Sequence, residues 1–195
     1  MPQVKYLLPM TLLAVLALPS LVACARSADP ISPVQGVDLS RYMGRWYVIA
    51  SIPTRLERGG HNAVETYRRN DDGTICTWFR RRPDNFDAPV KLLKSTASVV
   101  KGSGNGEWRV RFFAFLSTQY LVGWLKPDYS QVMVVRDARD YLWFMARTST
   151  VSDADYGAML ERAKAMGYDT DEIQKVPQRW PEHGDGSESF AGECP

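Results

Sequence analysis

Short segments in which apolar and polar residues alternate, separated by turn residues, fill the middle of the chain. In the clearest of them, Trp108, Val110 and Phe112 fall on one side and Arg109 and Arg111 on the other. This period of two is typical of a β-strand with one buried face. Eight such segments follow one another at residues 46–52, 63–69, 74–80, 91–101, 108–115, 120–125, 131–136 and 141–147. The turn signals between them predict an all-β fold, either an antiparallel up-and-down barrel or a sandwich.

Helical periodicity replaces this alternation after the eighth segment. Ser152, with Asp155 three residues later, resembles a helix-capping box, and Gly167 supplies a stop signal. Apolar residues recur at helical spacing between them, at Tyr156, Met159, Leu160, Ala163 and Met166. We therefore expect one helix whose apolar face packs on the outside of the strands.

The N-terminus has the pattern of an export signal. Lys5 precedes an apolar stretch at residues 7–23, which is broken by prolines and too short for a comfortable membrane span. The residues Leu21-Val22-Ala23-Cys24 resemble a bacterial lipobox, so we expect residues 1–23 to be a signal peptide and Cys24 to carry acyl chains. Residues 24–36 then form a tether, and Ala25 in place of an aspartate favours the outer membrane, with the protein facing the periplasm. The alternative is a plain signal peptide with Cys24 incidental.

Charge and composition exclude several function classes. The chain of 195 residues has 24 Lys+Arg against 22 Asp+Glu, and no run of like charges indicates a nucleic-acid-binding arm. His61 and His183 are the only histidines, and no zinc-hydrolase or nucleophile-elbow motif occurs. Cys76 is the one candidate nucleophile, but no conspicuous base accompanies it. We expect no enzyme activity, no metal and no cofactor.

Three segments in register resemble the lipocalin family, in particular bacterial outer-membrane lipocalins and those like apolipoprotein D. They are Gly44-Arg45-Trp46-Tyr47 with residues 38–43 before it, residues 55–59, and residues 140–148. The resemblance covers residues 37–180 and implies an eight-stranded antiparallel up-and-down β-barrel with one C-terminal α-helix packed outside. It also implies that Trp46 sits at the closed end with Arg147 packed across it, so that Gly44, Trp46 and Arg147 are structural. Residues 181–195 are expected to form a flexible tail.

The family binds apolar molecules inside the barrel, and strand parity suggests which side chains would line such a cup. Trp108, Val110 and Phe112 would form one wall, while Val48 and Ala50 share the side of Trp46. The resemblance implies that Tyr67 and Trp143 point inward, and the parity of the sixth strand groups Tyr120 and Trp124 with Val122. The alternative for each residue is a packed core contact without any ligand.

The ligand expected from the resemblance is a fatty acid or lysophospholipid, held for storage or transport of envelope lipids. Another apolar molecule, such as a pigment, haem or toxin, stays open, as does a packed, membrane-tethered interaction module; a homodimer is compatible with each. Loop residues could fix an anionic head group, or they could simply be solvated charges. These candidates are Arg55, Arg58, His61, Arg80, Arg81 and Arg82.

Cysteine usage adds one further expectation. Many lipocalins tie a strand in this part of the chain to the C-terminal segment, and Cys194 lies in that segment here. The resemblance therefore implies a disulfide between Cys76 and Cys194 in an oxidising periplasm.

Overall fold

The computed structural model describes residues 29–113 and 116–182. The predicted signal peptide, Cys24 and Cys194 lie outside these residues. Eight barrel strands, a two-residue ninth strand, a short helix before the barrel and a longer helix after it make up most of the fold. The strands are β1 (Gly44–Ile52), β2 (Gly60–Arg69), β3 (Ile75–Pro83), β4 (Lys91–Val99), β5 (Glu107–Phe113), β6 (Leu116–Leu125), β7 (Gln131–Val135) and β8 (Leu142–Ala146). The remaining elements are α1 (Leu39–Tyr42), α2 (Asp153–Ala165), a 3-10 turn (Thr170–Glu172) and β9 (Gln174–Lys175).

The strands close into a barrel, which confirms the predicted fold. Each of β1 to β8 pairs antiparallel with its neighbour in sequence, and β1 also pairs with β8. Tyr47 shows the closure, since it lies opposite Val64 of β2 on one side and Ala146 of β8 on the other. Hairpin loops therefore alternate between two ends of the barrel. The loops before β2, β4, β6 and β8 lie at one end, and α1 lies at the other.

The C-terminal segment completes the sheet where β1 and β2 diverge. These two strands pair only over Gly44–Tyr47 of β1, and β9 then pairs with β1 at Ala50. Beyond β9, the Asn62 amide donates to the Pro177 carbonyl at 2.9 Å. The side-chain amide of Gln178 donates to the carbonyls of Val48 and Ala63, at 2.8 and 3.0 Å. Backbone groups that would otherwise be unpaired on both strands are thus satisfied by one segment.

Two irregularities in the strands reverse the inward and outward alternation. The register shifts between Val48 and Ala50 in β1, and between Val122 and Trp124 in β6. An extra residue on one strand moves every later side chain to the opposite face. The expectations that Ala50 and Trp124 face the barrel interior are therefore wrong. Both pack in the outer cluster beneath α2, and the Arg162 guanidinium lies 4.3 Å from the Trp124 ring centre.

Helix α2 packs on the outside of the barrel, as predicted. Ser152 caps it by accepting a hydrogen bond from the Asp155 amide at 3.0 Å. Its buried residues Met159 and Ala163 contact the outward side chains of the later strands. These outward residues are Leu121, Met133, Val135, Leu142 and Phe144. A second apolar core thus lies outside the barrel wall. Because this core contributes to folding stability, the barrel interior does not have to be filled by packed side chains.

The closed end is held by one guanidinium group. Arg147 lies 3.7 Å from the Trp46 ring centre and donates to the carbonyls of Arg45 and Met43 at 2.6 and 2.9 Å. It also donates to the carbonyls of Arg41 and Tyr42 in α1. Gly44 has a φ of +90°, a conformation that favours glycine, where the chain turns from α1 into β1. The structure therefore places Gly44, Trp46 and Arg147 in the arrangement that the resemblance implies.

Candidate ligand-binding cavity

A cavity of about 460 Å³ occupies the barrel interior. Its wall is mostly aromatic and aliphatic, with a few hydroxyl and charged side chains. The lining residues are Thr54, Arg55, Leu56, Glu57, Glu65, Tyr67, Thr77, Phe79, Leu93, Ser95, Val110, Phe112, Leu116, Ser117, Thr118, Gln119, Tyr120, Arg136, Tyr141 and Trp143. Because the interior is hollow, the alternative of a solidly packed barrel is wrong.

Tyr67 and Tyr120 form the floor of the cavity, and Tyr42 of α1 supports them from outside the wall. The Tyr120 hydroxyl lies 2.6 Å from that of Tyr42 and 2.7 Å from that of Tyr67, so the three oxygens form one hydrogen-bonded chain. Burial raises the pKa of all three hydroxyls, which keeps them neutral. The Trp108 ring stacks on Tyr120 with ring centres 4.6 Å apart. The floor is therefore uncharged and densely packed.

Most of the predicted wall residues line the cavity, but two do not. Tyr67, Val110, Phe112, Tyr120 and Trp143 do so. Trp108 does not, because it occupies the first interior position of β5, below the floor, where its indole donates to the Asn105 carbonyl at 2.8 Å. Trp124 lies outside the barrel for the reason given above.

Two aromatic wall residues, Phe79 and Tyr141, were not predicted from the sequence. The Phe79 ring centre lies 5.0 Å from that of Trp143, and the Tyr141 ring centre lies 5.3 Å from it. Together they form a continuous aromatic surface near the open end. Alternation was the available signal, since Tyr141 lies two residues before Trp143 and Phe79 shares its parity with Ile75 of the same strand.

Two carboxyl groups also face the cavity and were missed. Glu65 is only 3% exposed, and burial raises its pKa well above the usual range. Burial also raises the pKa of Glu57, although hydrogen bonds from Thr54 and Tyr141 and the charge of Arg81 oppose this. For Glu65 the signal was again alternation, because Ala63, Glu65 and Tyr67 fall on one face of β2.

The open end, which we call the mouth, carries the two cations that line the cavity. They are Arg55 in the loop before β2 and Arg136 directly after β7. Arg136 is partly neutralised by Asp140, with the guanidinium Nε 3.5 Å from the carboxylate. Arg55 is exposed, and the pairs found among the described residues do not include it.

The other predicted head-group residues do not line the cavity. Arg58 is exposed, and His61 contacts the Gly59 carbonyl at 2.9 Å and packs on Phe86. Alternation along β3 turns its even-numbered side chains outward, and there Arg80 and Arg82 both bind the Glu182 carboxylate. Arg81 does not line the cavity, and its positive charge favours the ionised form of Glu57 by lowering the pKa of that carboxyl group. Of the six predicted head-group residues, Arg55 therefore lines the cavity, and Arg58, His61, Arg80, Arg81 and Arg82 do not.

Comparison with known proteins assigns the family. Residues 37–178 match the family model described as a lipocalin-like domain, which is most of the chain. The chain is a lipocalin. It is 32% identical over 157 residues to temperature-induced lipocalin-1 of Arabidopsis thaliana, with 74% of this chain and 81% of the relative covered. It is 31% identical over 160 residues to the outer membrane lipoprotein Blc of Escherichia coli K12, with 80% and 89% covered.

Solved structures agree on the fold. Insecticyanin from the tobacco hornworm Manduca sexta superposes with a TM-score of 0.60, covering 77% of this lipocalin and 85% of the insect protein. The allergen Per a 4 from cockroaches superposes with a TM-score of 0.59, covering 76% and 93%. Sequence identities of 13% and 15% limit this likeness to the barrel architecture.

Cys76 of this lipocalin lies on the outward side of β3 and is disulfide-bonded. It is thus not a free nucleophile, and it does not line the cavity. The chain's other cysteines, Cys24 and Cys194, lie outside the described residues, so the pairing with Cys194 stays a prediction.

Two features are absent from residues 29–113 and 116–182. No cluster of three or more His, Cys, Asp or Glu side chains in that part of the chain is arranged to hold a metal ion. Nor does any helix within it have the length and apolar character needed to cross a membrane.

Proposed function

We propose that this lipocalin binds a fatty acid or lysophospholipid, with the acyl chain in the barrel cavity and the anionic head group at the mouth. The observation that carries the proposal is the shape and polarity of the cavity. An aromatic and aliphatic wall rises from an uncharged tyrosine floor and opens past Arg55 and Arg136. An acyl chain gains about 0.8 kcal/mol for each methylene removed from water. The ligand binds without chemical change.

The two arginines at the mouth suit a carboxylate or phosphate. A guanidinium group offers several N–H donors in a plane that matches two oxygens of such an anion. Arg55 is exposed and free to turn toward a ligand, whereas Arg136 shares its charge with Asp140. The cavity floor offers no cation, so the head group belongs at the mouth.

We further propose that acyl chains on Cys24 anchor the protein to the outer membrane, with the barrel in the periplasm. The lipobox-like residues before Cys24 support this, and so do relatives named outer membrane lipoprotein Blc in Escherichia coli and Vibrio cholerae. Mass spectrometry of the mature protein from a bacterial membrane fraction tests it. We expect a diacylated or triacylated N-terminal peptide, and its loss in Cys24→Ala.

Ligand binding is tested by quenching of tryptophan fluorescence with lysophospholipid and with hexadecanoate. We expect saturable quenching that weakens in Trp143→Ala, because Trp143 forms part of the cavity wall. Trp124→Ala is the matched control, since Trp124 lies outside the barrel. Absence of a saturable change with every lipid, or equal weakening in both variants, would contradict the proposed site.

A further inference from the structure

A polar layer lies directly above the tyrosine floor. Glu65 precedes Tyr67 by two residues on β2, and Thr118 precedes Tyr120 by two residues on β6. Both strands run from the mouth toward the floor, where the hydroxyls of Tyr67 and Tyr120 meet at 2.7 Å. Two residues along a strand span roughly 6–7 Å. Glu65 and Thr118 therefore occupy the next interior layer, on strands from opposite sides of the eight-stranded ring.

Each of these side chains has a hydrogen-bonding atom without a partner. Glu65 Oε2 and Thr118 Oγ1 are both buried and unpaired among the described residues. The ion pairs found there do not involve Glu65. Burial and the charge of Glu57 raise the pKa of its carboxyl group, and a hydrogen bond with Thr77 opposes this only in part. A protonated carboxyl group can both donate and accept a hydrogen bond, and so can a hydroxyl.

We propose that Glu65 and Thr118 form a subsite for a neutral oxygen group, a hydroxyl or keto function, on the buried part of the ligand. The inference deepens the proposed function, because the ligand enters the same cavity. A buried polar atom left unpaired is costly, and a ligand oxygen that pairs with either side chain lowers that cost. An anionic group is unsuited to this layer because the cations of the wall, Arg55 and Arg136, lie at the mouth and burial away from water opposes ionisation.

Paired ligands test this subsite. Dodecanoate, tetradecanoate and hexadecanoate are compared with their terminal hydroxy derivatives by tryptophan quenching. We expect at least one hydroxy derivative to bind about tenfold more tightly than its parent. Glu65→Gln, which keeps a neutral donor and acceptor, should retain the preference, and Glu65→Leu should abolish it.

A matched pair of variants distinguishes loss of the subsite from a general destabilisation of the barrel. Thr118→Val should reduce the preference, whereas Thr66→Val should not, because Thr66 also has a buried unpaired hydroxyl but lies outside the cavity wall. Equal binding of hydroxy and parent acids would overturn the subsite and leave lipid binding intact. Tighter binding of a terminal amine than of the hydroxyl would also overturn it, because Glu65 would then act as an ionised partner. Loss of binding for every acid would contradict the proposed function itself.

A separate observation concerns how the chain reaches the barrel. Arg139 donates to the Asp29 carbonyl at 2.5 Å, and the Ile31 amide donates to the Asp137 carboxylate at 2.7 Å. Both partners lie in the loop before β8, at the mouth. From there the chain runs toward the closed end, where the Val37 amide donates to the Gly104 carbonyl. The described chain therefore begins at the mouth and not at the floor.

The reach of the tether is short compared with the barrel. Asp29 lies five residues after Cys24, a span of at most roughly 18 Å when fully extended. A strand such as β2, with 10 residues tilted by about 40°, spans roughly 25 Å along the barrel axis. An anchor at Cys24 therefore stays near the mouth and cannot place the closed end on the membrane.

The surface of the mouth suits a membrane. Leu56 and Leu116 line the cavity there and are 67% and 52% exposed. Arg55 adjoins Leu56, so exposed apolar side chains lie beside a cation that can meet anionic lipid head groups. We infer that the mouth rests on the membrane that holds the anchor and exchanges lipid with it directly. This second inference rests on the proposed acylation of Cys24.

An environment-sensitive dye on one introduced cysteine tests the orientation. The acylated protein is placed in vesicles of phosphatidylethanolamine and phosphatidylglycerol, with the dye at Leu56→Cys or, as control, at Asp72→Cys in the turn at the closed end. We expect a blue shift and quenching by brominated lipid at position 56 alone. The reverse pattern, or no lipid contact at position 56, would overturn the orientation. The mass of the same protein reports acylation separately, so a failed anchor is distinguished from a wrong orientation.

Discussion

Replacing Glu182 with glutamine should weaken the attachment of the C-terminal segment to the barrel and lower the free energy of unfolding. The Glu182 carboxylate accepts hydrogen bonds from Arg80, from Arg82 Nε at 3.1 Å and from Asn62 Nδ2 at 2.6 Å. The side chains of Arg80 and Glu182 are only 3% and 4% exposed. Water therefore screens this pair weakly, unlike an ion pair on the surface.

The pKa of Glu182 sets the magnitude. Burial opposes ionisation, but the hydrogen bonds from Arg80, Arg82 and Asn62 outweigh it and lower the pKa from 4.5 to about 2. At about 1.36 kcal/mol for each pH unit, this difference corresponds to about 3 kcal/mol of folding free energy. Because the pKa is lower in the folded state, the stabilisation is complete above the unfolded value of 4.5 and is lost as the pH falls toward 2.

Urea denaturation of the wild type and Glu182→Gln, over a series of pH values, measures the effect. We expect Glu182→Gln to be less stable by about 3 kcal/mol at pH 7, and this gap to narrow below pH 4. Asp87→Asn is the control, because Asp87 forms an exposed ion pair with Arg179 and its loss should change little at any pH. An equal gap at pH 7 and pH 2, or none at pH 7, would refute the reasoning.

Three further predictions concern the barrel itself. Gly123→Ala should destabilise the protein by about 1–3 kcal/mol in urea denaturation, because the new Cβ would lie 2.5 Å from a methyl group of Val135; an unchanged midpoint would contradict this. Arg147→Met should cost about 3 kcal/mol, since several carbonyls at the closed end lose a charged donor, and a thermal melt within a degree of wild type would contradict it. Mass spectrometry after proteolysis without reductant should find a peptide that links Cys76 to Cys194, and a link from Cys76 to any other residue would disprove the pairing.

The barrel could be predicted from the sequence because local rules agree with the fold. Alternation, turn residues and the cap at Ser152 each specify one element, and the order of the elements specifies the hairpins. Alternation fails where one residue is added to a strand. The sequence pattern of β1 does not predict the register shift that turns Ala50 outward. In β6, only Gly123 indicates the register shift before Trp124.

Long-range pairing explains why Arg80 and Arg82 do not line the cavity. Arg80 and Arg82 resemble free loop cations in the sequence, yet their partner Glu182 lies 102 and 100 residues away. The predicted flexible tail from residue 181 therefore begins one residue before a buried ion pair. Glu65, by contrast, could have been placed in the cavity by the alternation of Ala63, Glu65 and Tyr67, although charged residues are mostly exposed.

The distribution of charge in the described barrel determines how the proposed lipid ligand would lie in it. Arg147 lies beneath the tyrosine floor and is held by backbone carbonyls, so a ligand cannot reach it. Glu65, in the layer above the floor, repels an anion once ionised and offers only a neutral hydrogen bond when protonated. Of the groups that line the cavity, Arg55 and Arg136 at the mouth are those that attract an anion. Under the proposed function, an anionic lipid would therefore bind with its chain inward. If the mouth rests on a membrane, the head group can stay at the level of the neighbouring head groups while the chain moves between bilayer and barrel. The arginines then keep the head group out of the apolar interior throughout the transfer, so the energetic cost of burying its charge is avoided.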